Sequence, residues 1–230
     1  RKMDRVSYDE MLEMSSLGAK VLQFRCVEFC KKFDMPLVVK SSLVEDSKGT
    51  LISEEDSSME QPVVSGIMID KNQAKITVKG VPDHPGIASK FFTGLAEENL
   101  SVDMIIQNVS DEGHTDISFT VTKEDINKAT KIVQELGKLI EARNVSADPN
   151  ICKVSIVGAG MRSHPGVAAK MFSALSEENI NIIMISTSEI RVSCIIEEKY
   201  GELAVRALHK VFNMTVAEKN RWPEGGTKSI

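Results

Sequence analysis

Two short stretches, Asp83-His84-Pro85-Gly86-Ile87-Ala88 and Ser163-His164-Pro165-Gly166-Val167-Ala168, carry the residue types best suited to holding a small ligand. Each sets a proline and a glycine where a helix is expected to begin. The first backbone N–H groups of a helix lack intrahelical partners, and the helix dipole favours an anion beside them. In the first stretch Asp83 adds a carboxylate that can meet an ammonium group, and Gly86 lets a ligand approach the backbone closely. Gln107 and Asn108, expected at the end of an adjacent strand, can supply amide groups to polar ligand atoms. The same residues also read as a capped helix start with exposed amides, because Asp near a helix N-terminus is common. His84 and His164 could titrate near neutrality. Their recurrence beside Pro-Gly is better explained by a shared role in packing the loop.

The second stretch departs from the first at its polar positions. Ser163 stands in place of Asp83, and Thr187-Ser188 in place of Gln107-Asn108. A second site built from Met161 and from Ser163, His164, Pro165, Gly166, Val167 and Ala168 would keep the anion-binding helix start without the acidic anchor. It should be weaker or different. Other candidate motifs carry less. Gly158-Ala159-Gly160 follows a strand, but the sixth position of a dinucleotide fingerprint is Ser163 and no parallel βαβ repeat follows. Cys26 and Cys30 have one-turn spacing without a third ligand, so no metal is assigned. Arg25, Lys31 and Lys32 read as a solvated helix face.

The elements that position the two stretches are themselves repeated. Shifted by 80 residues, His84–Asn99 falls on His164–Asn179 with ten of sixteen positions identical, which points to duplication. Each copy opens with a β-branched run, Ala74 to Val78 or Val154 to Val157, and turns into a helix with Pro85 or Pro165 in its first turn. Ile87, Phe91 and Leu95, or Val167, Met171 and Leu175, form the buried face. Asn99 and Asn179 suit the left-handed conformation that ends many helices. A hairpin follows, from Val102, Met104 and Ile106 to Ile117, Phe119 and Val121, with Asp111-Glu112-Gly113 as its turn. Ile182 and Met184 and then Ile190, Val192 and Cys194 play these parts in the second copy, where a connection five residues shorter moves the later alignment to a shift of 75. A second helix closes each unit, through Ile126, Ala129, Val133, Leu136 and Ile140, or Leu203, Ala207, Leu208 and Val211.

Both units read βαββα, and the first gains a last strand near Asn144 to Ala147, giving two helices on one face of an antiparallel sheet. The second runs out of strand. Val63 to Ile69, otherwise unplaced, could supply its missing edge, which would make the first unit an insertion in the second.

Composition narrows the function. The 230 residues are 42% hydrophobic and 27% charged, enough for a real core, and the net charge of −5 argues against a nucleic-acid partner. No apolar run reaches the roughly 20 residues of a membrane helix, and Arg1-Lys2-Met3-Asp4 does not open a secretory signal, so no membrane partner and a cytoplasmic location are expected. Four scattered cysteines do not make a disulfide framework. Ser7-Tyr8-Asp9-Glu10 reads as a capping box. A second helix with Val21, Phe24, Val27 and Cys30 on its buried stripe ends at Met35-Pro36, and Leu37-Val38-Val39 forms a strand. Two helices and one strand cannot stand alone, so residues 1–52 are expected to be the end of a larger domain upstream, in keeping with a chain that opens on Arg1. Residues 53–62 form an acidic linker, residues 63–147 and 148–216 the two units, and residues 217–230 a mobile tail.

Val81-Pro-Asp-His-Pro-Gly86, Asp103-Met-Ile-Ile-Gln-Asn-Val-Ser110, Val157-Gly-Ala-Gly-Met161 and Ile185-Ser-Thr-Ser-Glu-Ile190 together resemble the tandem ACT regulatory region of aspartate kinases. Ser7-Tyr-Asp-Glu-Met-Leu-Glu13, Leu17-Gly-Ala-Lys-Val-Leu22 and Gly49-Thr-Leu51 resemble the last part of that family's amino-acid kinase domain. The resemblance, over residues 4 to about 215, implies an α+β fold: two ferredoxin-like βαββαβ ACT units in tandem, preceded by a short α/β remnant. It implies an enzyme that phosphorylates the aspartate side-chain carboxylate with ATP and Mg2+, and a regulatory segment that binds lysine, threonine or both as feedback inhibitors. The family's Lys-Phe-Gly-Gly phosphate loop is absent, so no catalytic residue and no cofactor are assigned here. The resemblance further implies a homodimer through the ACT units, in which Ser186, Thr187 and Ser188 complete the first unit's pocket across the interface. The other partner would be a kinase domain or separate catalytic subunit. The competing reading is a stand-alone amino-acid-binding ACT regulator. Residues 1–52 show no basic recognition helix to serve it.

Overall fold

The computed structural model describes residues 2–44, 47–55, 63–109 and 113–214. Most of the linker, the Asp111-Glu112 half of the hairpin turn and the tail lie outside the described residues. Strands β1 (Arg5–Ser7), β2 (Leu37–Val39) and β3 (Thr50–Ser53) form a small sheet in the order β1-β3-β2, with helices α1 (Tyr8–Ser16) and α2 (Phe24–Lys32) beside it. Two of these strands were not expected: β1 and β3 are too short to show an alternation. The capping box is present in full, with Ser7 Oγ accepting from the Glu10 N–H at 3.2 Å and Glu10 Oε2 accepting from the Ser7 N–H at 3.1 Å. The expected stripe of the second helix is only half buried. Val27 and Cys30 are covered, whereas Phe24 is exposed, and Val21 falls in the turn before the helix and is exposed there, so it takes no part in the stripe.

The rest is one six-stranded sheet built on two long strands, β4 (Gly66–Pro82) and β7 (Asn144–Val157). Between them run α3 (Ile87–Glu97), β5 (Ile105–Val109), β6 (His114–Val121) and α4 (Ile126–Leu139). After β7 come a 3₁₀ turn (Ala159–Ser163), α5 (Val167–Glu177), β8 (Met184–Thr187), β9 (Arg191–Glu197) and α6 (Gly201–Val211). The order β5-β6-β4-β7-β9-β8 is antiparallel at every step.

The strands expected separately at Val63–Ile69 and Ala74–Val78 are thus one strand, as are those at Asn144–Ala147 and Val154–Val157. The polar runs Asp70-Lys-Asn-Gln73 and Asp148-Pro-Asn150 read as breaks. In the fold they carry register shifts, at Asp70/Gln73 and Gln73/Lys75, where the sheet passes from one repeat to the other. Lys75–Lys79 pairs with Asn144–Asp148, and Gly66–Asp70 pairs with Lys153–Val157. Each repeat therefore borrows the end of a strand that begins or finishes in the other.

Alternation along these strands sets the cores. Ala74, Ile76 and Val78 of β4 meet Phe91 and Leu95 of α3, Ile117 and Phe119 of β6, and Ala129 and Val133 of α4. Phe91, Phe92 and Phe119 pack edge-on, with centroids 5.3 to 5.8 Å apart. Burying each such ring contributes about 2–3 kcal/mol. The second core is the same construction with Val154, Ile156, Met171, Leu175, Val192, Cys194, Ala204 and Leu208. On the sheet's other face Met104, Ile151, Met184 and Ile195 form a smaller cluster shared by both repeats.

Candidate functional site

In each repeat the loop after the first strand is a turn that hands the chain to a helix. The Ile87 N–H donates to the His84 carbonyl at 3.3 Å, and Gly86 sits at φ 92°, ψ −11°. A proline second and a left-handed glycine third make this a type II turn, which is why Pro-Gly recurs. Gly166 has φ 91° and ψ −2°. The prolines were expected in the first helical turn. They belong instead to the turn before it, because the left-handed glycine lies between proline and helix as N-cap. The first helical bonds are Lys90 N–H to the Gly86 carbonyl at 3.0 Å and Lys170 N–H to the Gly166 carbonyl at 2.9 Å.

No side chain caps α3 or α5. Nothing lies within 4 Å of where a Cβ on Gly86 or Gly166 would point. Asp83, His84, Pro85 and Gly86 are exposed, Ala88 is half-buried, and Ile87 turns into the core. At the far end both helices finish in a Schellman arrangement. Asn99 and Asn179 each have φ 55°, and Leu100 and Ile180 donate back to the carbonyls of Leu95 and Leu175 at 3.1 and 2.9 Å.

The first tip is tied to its hairpin by the Asp83 N–H, which donates to the Gly113 carbonyl at 2.9 Å. Strand β5 runs parallel to β4 with β6 between them, so Gln107 and Asn108 reach the same end of the sheet as Asp83. Both are exposed, and the Asn108 carbonyl accepts from Thr115 Oγ1. Ser186, Thr187 and Ser188 belong to β8 and its turn, on the opposite edge of the six-stranded sheet. Within one chain they are not brought to the first tip.

The second tip is differently furnished. Met161 is half-buried, while Ser163, His164, Pro165 and Gly166 are exposed. His164 Nδ1 lies 2.7 Å from the Gly160 carbonyl and 3.2 Å from Ser163 Oγ, so the ring is held by its own loop. His84 Nδ1 meets the adjacent Pro85 carbonyl at 3.3 Å.

Acidic residues ahead of the first repeat meet the residues that flank the second tip. Glu10 Oε1 accepts from the Ala159 N–H at 3.0 Å, Glu13 pairs with Arg191 at 3.0 Å, and Glu55 pairs with Arg162 at 3.2 Å. Sequence reasoning saw Glu10 only as a cap and missed the other two pairs. One signal was available: at the shift of 75, Arg191 stands where the first copy has Asp116, whose Oδ1 accepts from the Gly80 N–H at 2.9 Å. A charge reversal at an otherwise matching position marks a different neighbour.

Among the described residues no three His, Cys, Asp or Glu side chains gather as a metal donor set, and no helix is long and apolar enough to cross a membrane. A cleft of about 460 Å³ lined by Arg5, Tyr8, Asp34 and Glu54, among others, lies in the N-terminal segment and shares no residue with either tip.

A family model of the ACT domain matches residues 76–136 and 154–212, which are the two repeats. Fold and paired tips thus define a tandem ACT-domain protein. The aspartate kinase Ask_LysC of Stutzerimonas stutzeri is 52% identical over 221 residues, 96% of this chain and 53% of that protein. A crystal structure of aspartokinase alpha and beta subunits matches with 56% identity and a TM-score of 0.62, over 65% of this chain and 99% of that one. The ligand-free regulatory subunit of aspartate kinase from Thermus thermophilus matches with 43% identity and a TM-score of 0.62, over the same shares of 65% and 99%. The chain belongs to the aspartate kinase family, of which it carries the regulatory region. It spans about half the length of the curated relatives it matches.

Proposed function

We propose that this chain is the feedback-sensing part of a cytoplasmic enzyme that phosphorylates the side-chain carboxylate of aspartate with ATP, and that it binds lysine, threonine or both at the first tip. The observation that carries this reading is the first tip itself: exposed, uncapped N–H groups of α3, an open approach over Gly86, and Asp83 at the same loop. The N–H groups of Ala88 and the next residue would take the effector's carboxylate, and Asp83 its ammonium. Gln107 and Asn108 would bond its remaining polar atoms. Strands β5 and β8 are both sheet edges, so pairing of two copies would bring Ser186, Thr187 and Ser188 of one to the first tip of the other.

The second tip, at Met161 and Ser163 to Ala168, is the lesser site, because it lacks the acid. We divide the chain into a kinase-side segment, residues 1–52, a linker, residues 53–62, and two ACT units, residues 63–147 and 148–216, which exchange strand ends. The kinase-side segment supports a further partner. Val21, Phe24, Phe29, Phe33, Met35 and Val38 leave an apolar face uncovered, suited to the rest of a kinase domain or a catalytic subunit. ATP and Mg2+, implied for the whole enzyme, would be held in the part of the relatives that this chain does not span.

Calorimetric titration of the chain with lysine and with threonine tests the reading. Binding that weakens at least about tenfold in Asp83→Ala is expected, the loss of one charge-assisted contact. Absence of binding by either amino acid, or indifference to Asp83→Ala, would remove the effector assignment.

A further inference from the structure

Glu10 is 1% exposed, yet it stands in the first turn of a nine-residue helix, where a capping carboxylate is normally solvated. One oxygen serves the cap: Oε2 accepts from the N–H and the hydroxyl of Ser7, at 3.1 and 2.9 Å. The other leaves the helix altogether. Oε1 accepts from Ser65 Oγ and, at 3.0 Å, from the N–H of Ala159. Ser65 leads into β4, and its own N–H donates to the Val157 carbonyl at 2.7 Å. Ala159 opens the 3₁₀ turn that leads to the second tip. A buried carboxylate without these donors would be costly, and a cap alone needs only Ser7.

The neighbours reinforce the same junction. Glu13, one turn along α1, pairs with Arg191, each about one quarter exposed. Met14, Met68 and Val157 share a core cluster. Gly158 lies so close to Val63 and Val64 that a Cβ there would come within 2.3 Å of a backbone oxygen. The first tip is tied instead to its own hairpin, through the Asp83 N–H and the Gly113 carbonyl at 2.9 Å.

We propose that Glu10 is a positioning residue that couples the second tip to α1, so that a displacement of the loop at Ala159 is passed to the kinase-side helix and a displacement of the helix to the loop. Through it the second ACT unit is the output end of the regulatory region and the first is the input. The word regulatory rests on the function proposed above. The coupling itself does not.

Hydrogen exchange by mass spectrometry on the whole 230-residue chain tests it. Ala159→Pro removes the donated N–H and sets a ring carbon in its place against Glu10 Oε1, so it parts the loop from the carboxylate without changing any residue of α1, and the backbone there suits proline. Ala159 is the first residue of a helical turn, and Gly158 before it is already extended at φ 178°, ψ 130°. Ala159→Pro should speed exchange in residues 8–16 by about tenfold or more, and Glu10→Gln should do the same in residues 158–163. The double variant should add little to the larger single effect. Unaltered exchange of α1 in Ala159→Pro, or additive single effects, overturns the coupling. Should Glu10→Gln fail to fold, the Ala159→Pro arm read on α1 decides alone.

Lysine and threonine are then added. If calorimetry finds no binding, the functional reading falls while the exchange arms still judge the coupling. If binding alters α1 in the wild type and equally in Ala159→Pro, the coupling is wrong and the functional reading stands.

Discussion

The duplication provides its own control for the glycine that opens the first tip. Gly86 and Gly166 have nearly the same left-handed geometry, φ 92° and 91°, and neither has an atom within 4 Å of an added Cβ. Alanine at either position therefore meets no clash, and its whole cost is the strain of a left-handed residue, about 1–2 kcal/mol. For a chain of this size that corresponds to a fall in Tm of roughly 2–8 °C. The two variants should match within about 0.5 kcal/mol when each is melted alone. Ligand affinity should not match. The methyl at position 86 occupies the approach to the α3 amides, so titration with lysine or threonine should show at least a tenfold weaker Kd, about 1.4 kcal/mol. Gly166→Ala should bind as the wild type does. Stability costs differing by more than about 1 kcal/mol would refute the shared turn geometry. Equal losses of affinity in both variants would refute the placement of the effector at the first tip.

Other substitutions test the packing and electrostatics behind that argument. Gly158→Ala should destabilise by about 3 kcal/mol or more in urea unfolding, well beyond Gly86→Ala, because the clash is with the Val63 backbone and cannot be relieved by a rotamer change. Lys153, 4% exposed, pairs with a more exposed Asp103. Lys153→Met should be close to neutral while Asp103→Ala costs about 3 kcal/mol, since only the second leaves a buried charge alone. Burial pushes the thiols of Cys152 and Cys194 up to about 11 and about 12, so a thiol reagent at pH 8 should label exposed Cys26 quickly and these two only on unfolding. The same shifts fix a pH window. The neutral thiols of the native state contribute their full stability below about pH 9, and it is lost as the unfolded chain ionises first and pH climbs towards 11 and 12.

Elements with a clean period were legible in the sequence. Ile117, Phe119 and Val121 announce β6 by alternation, and Ile87, Phe91 and Leu95 announce α3 by helical spacing, because one face of each is buried along its whole length. What escaped was set by non-local contact. Polar residues at Asp70–Gln73 interrupt the pattern of β4 without ending the strand, since the chain there passes between two cores instead of into solvent. Val21 and Phe24 fit a buried stripe but are exposed, and Val21 falls in the turn before the helix, where it takes no part in the stripe. At the tips, the residue types of Asp83 to Ala88 and of Gln107-Asn108 pointed to one end of one sheet, and topology puts them there. The proline's place in a turn before the helix followed from the glycine's sign of φ, which no periodicity encodes. Glu10 was hardest of all, for its local role as a cap fully accounted for it.

The exchange of strand ends bears directly on how such a molecule could signal. Were the two repeats independent domains on a linker, a ligand at one would leave the other's position free, and any coupling would have to cross a flexible joint. Here Gly66–Asp70 pairs within the second repeat's half of the sheet and the same strand runs on, through the register shifts, into Lys75–Pro82, which ends at the first tip. A rotation of the first tip relative to its core therefore has a stiff path, along β4, to the residues beside Ser65, and from Ser65 one hydroxyl reaches Glu10. The antiparallel partner β7 offers the return path, from Asn144 in the first repeat's half of the sheet to Val157 beside the second tip. Under the coupling proposed above, two antiparallel strands of this length, paired through a shift of register, would turn a local change at one end into a relative tilt of the two halves. A tilt is what a helix anchored at Glu10 and Glu13 would register, because both anchors sit where β4, β7 and β9 converge.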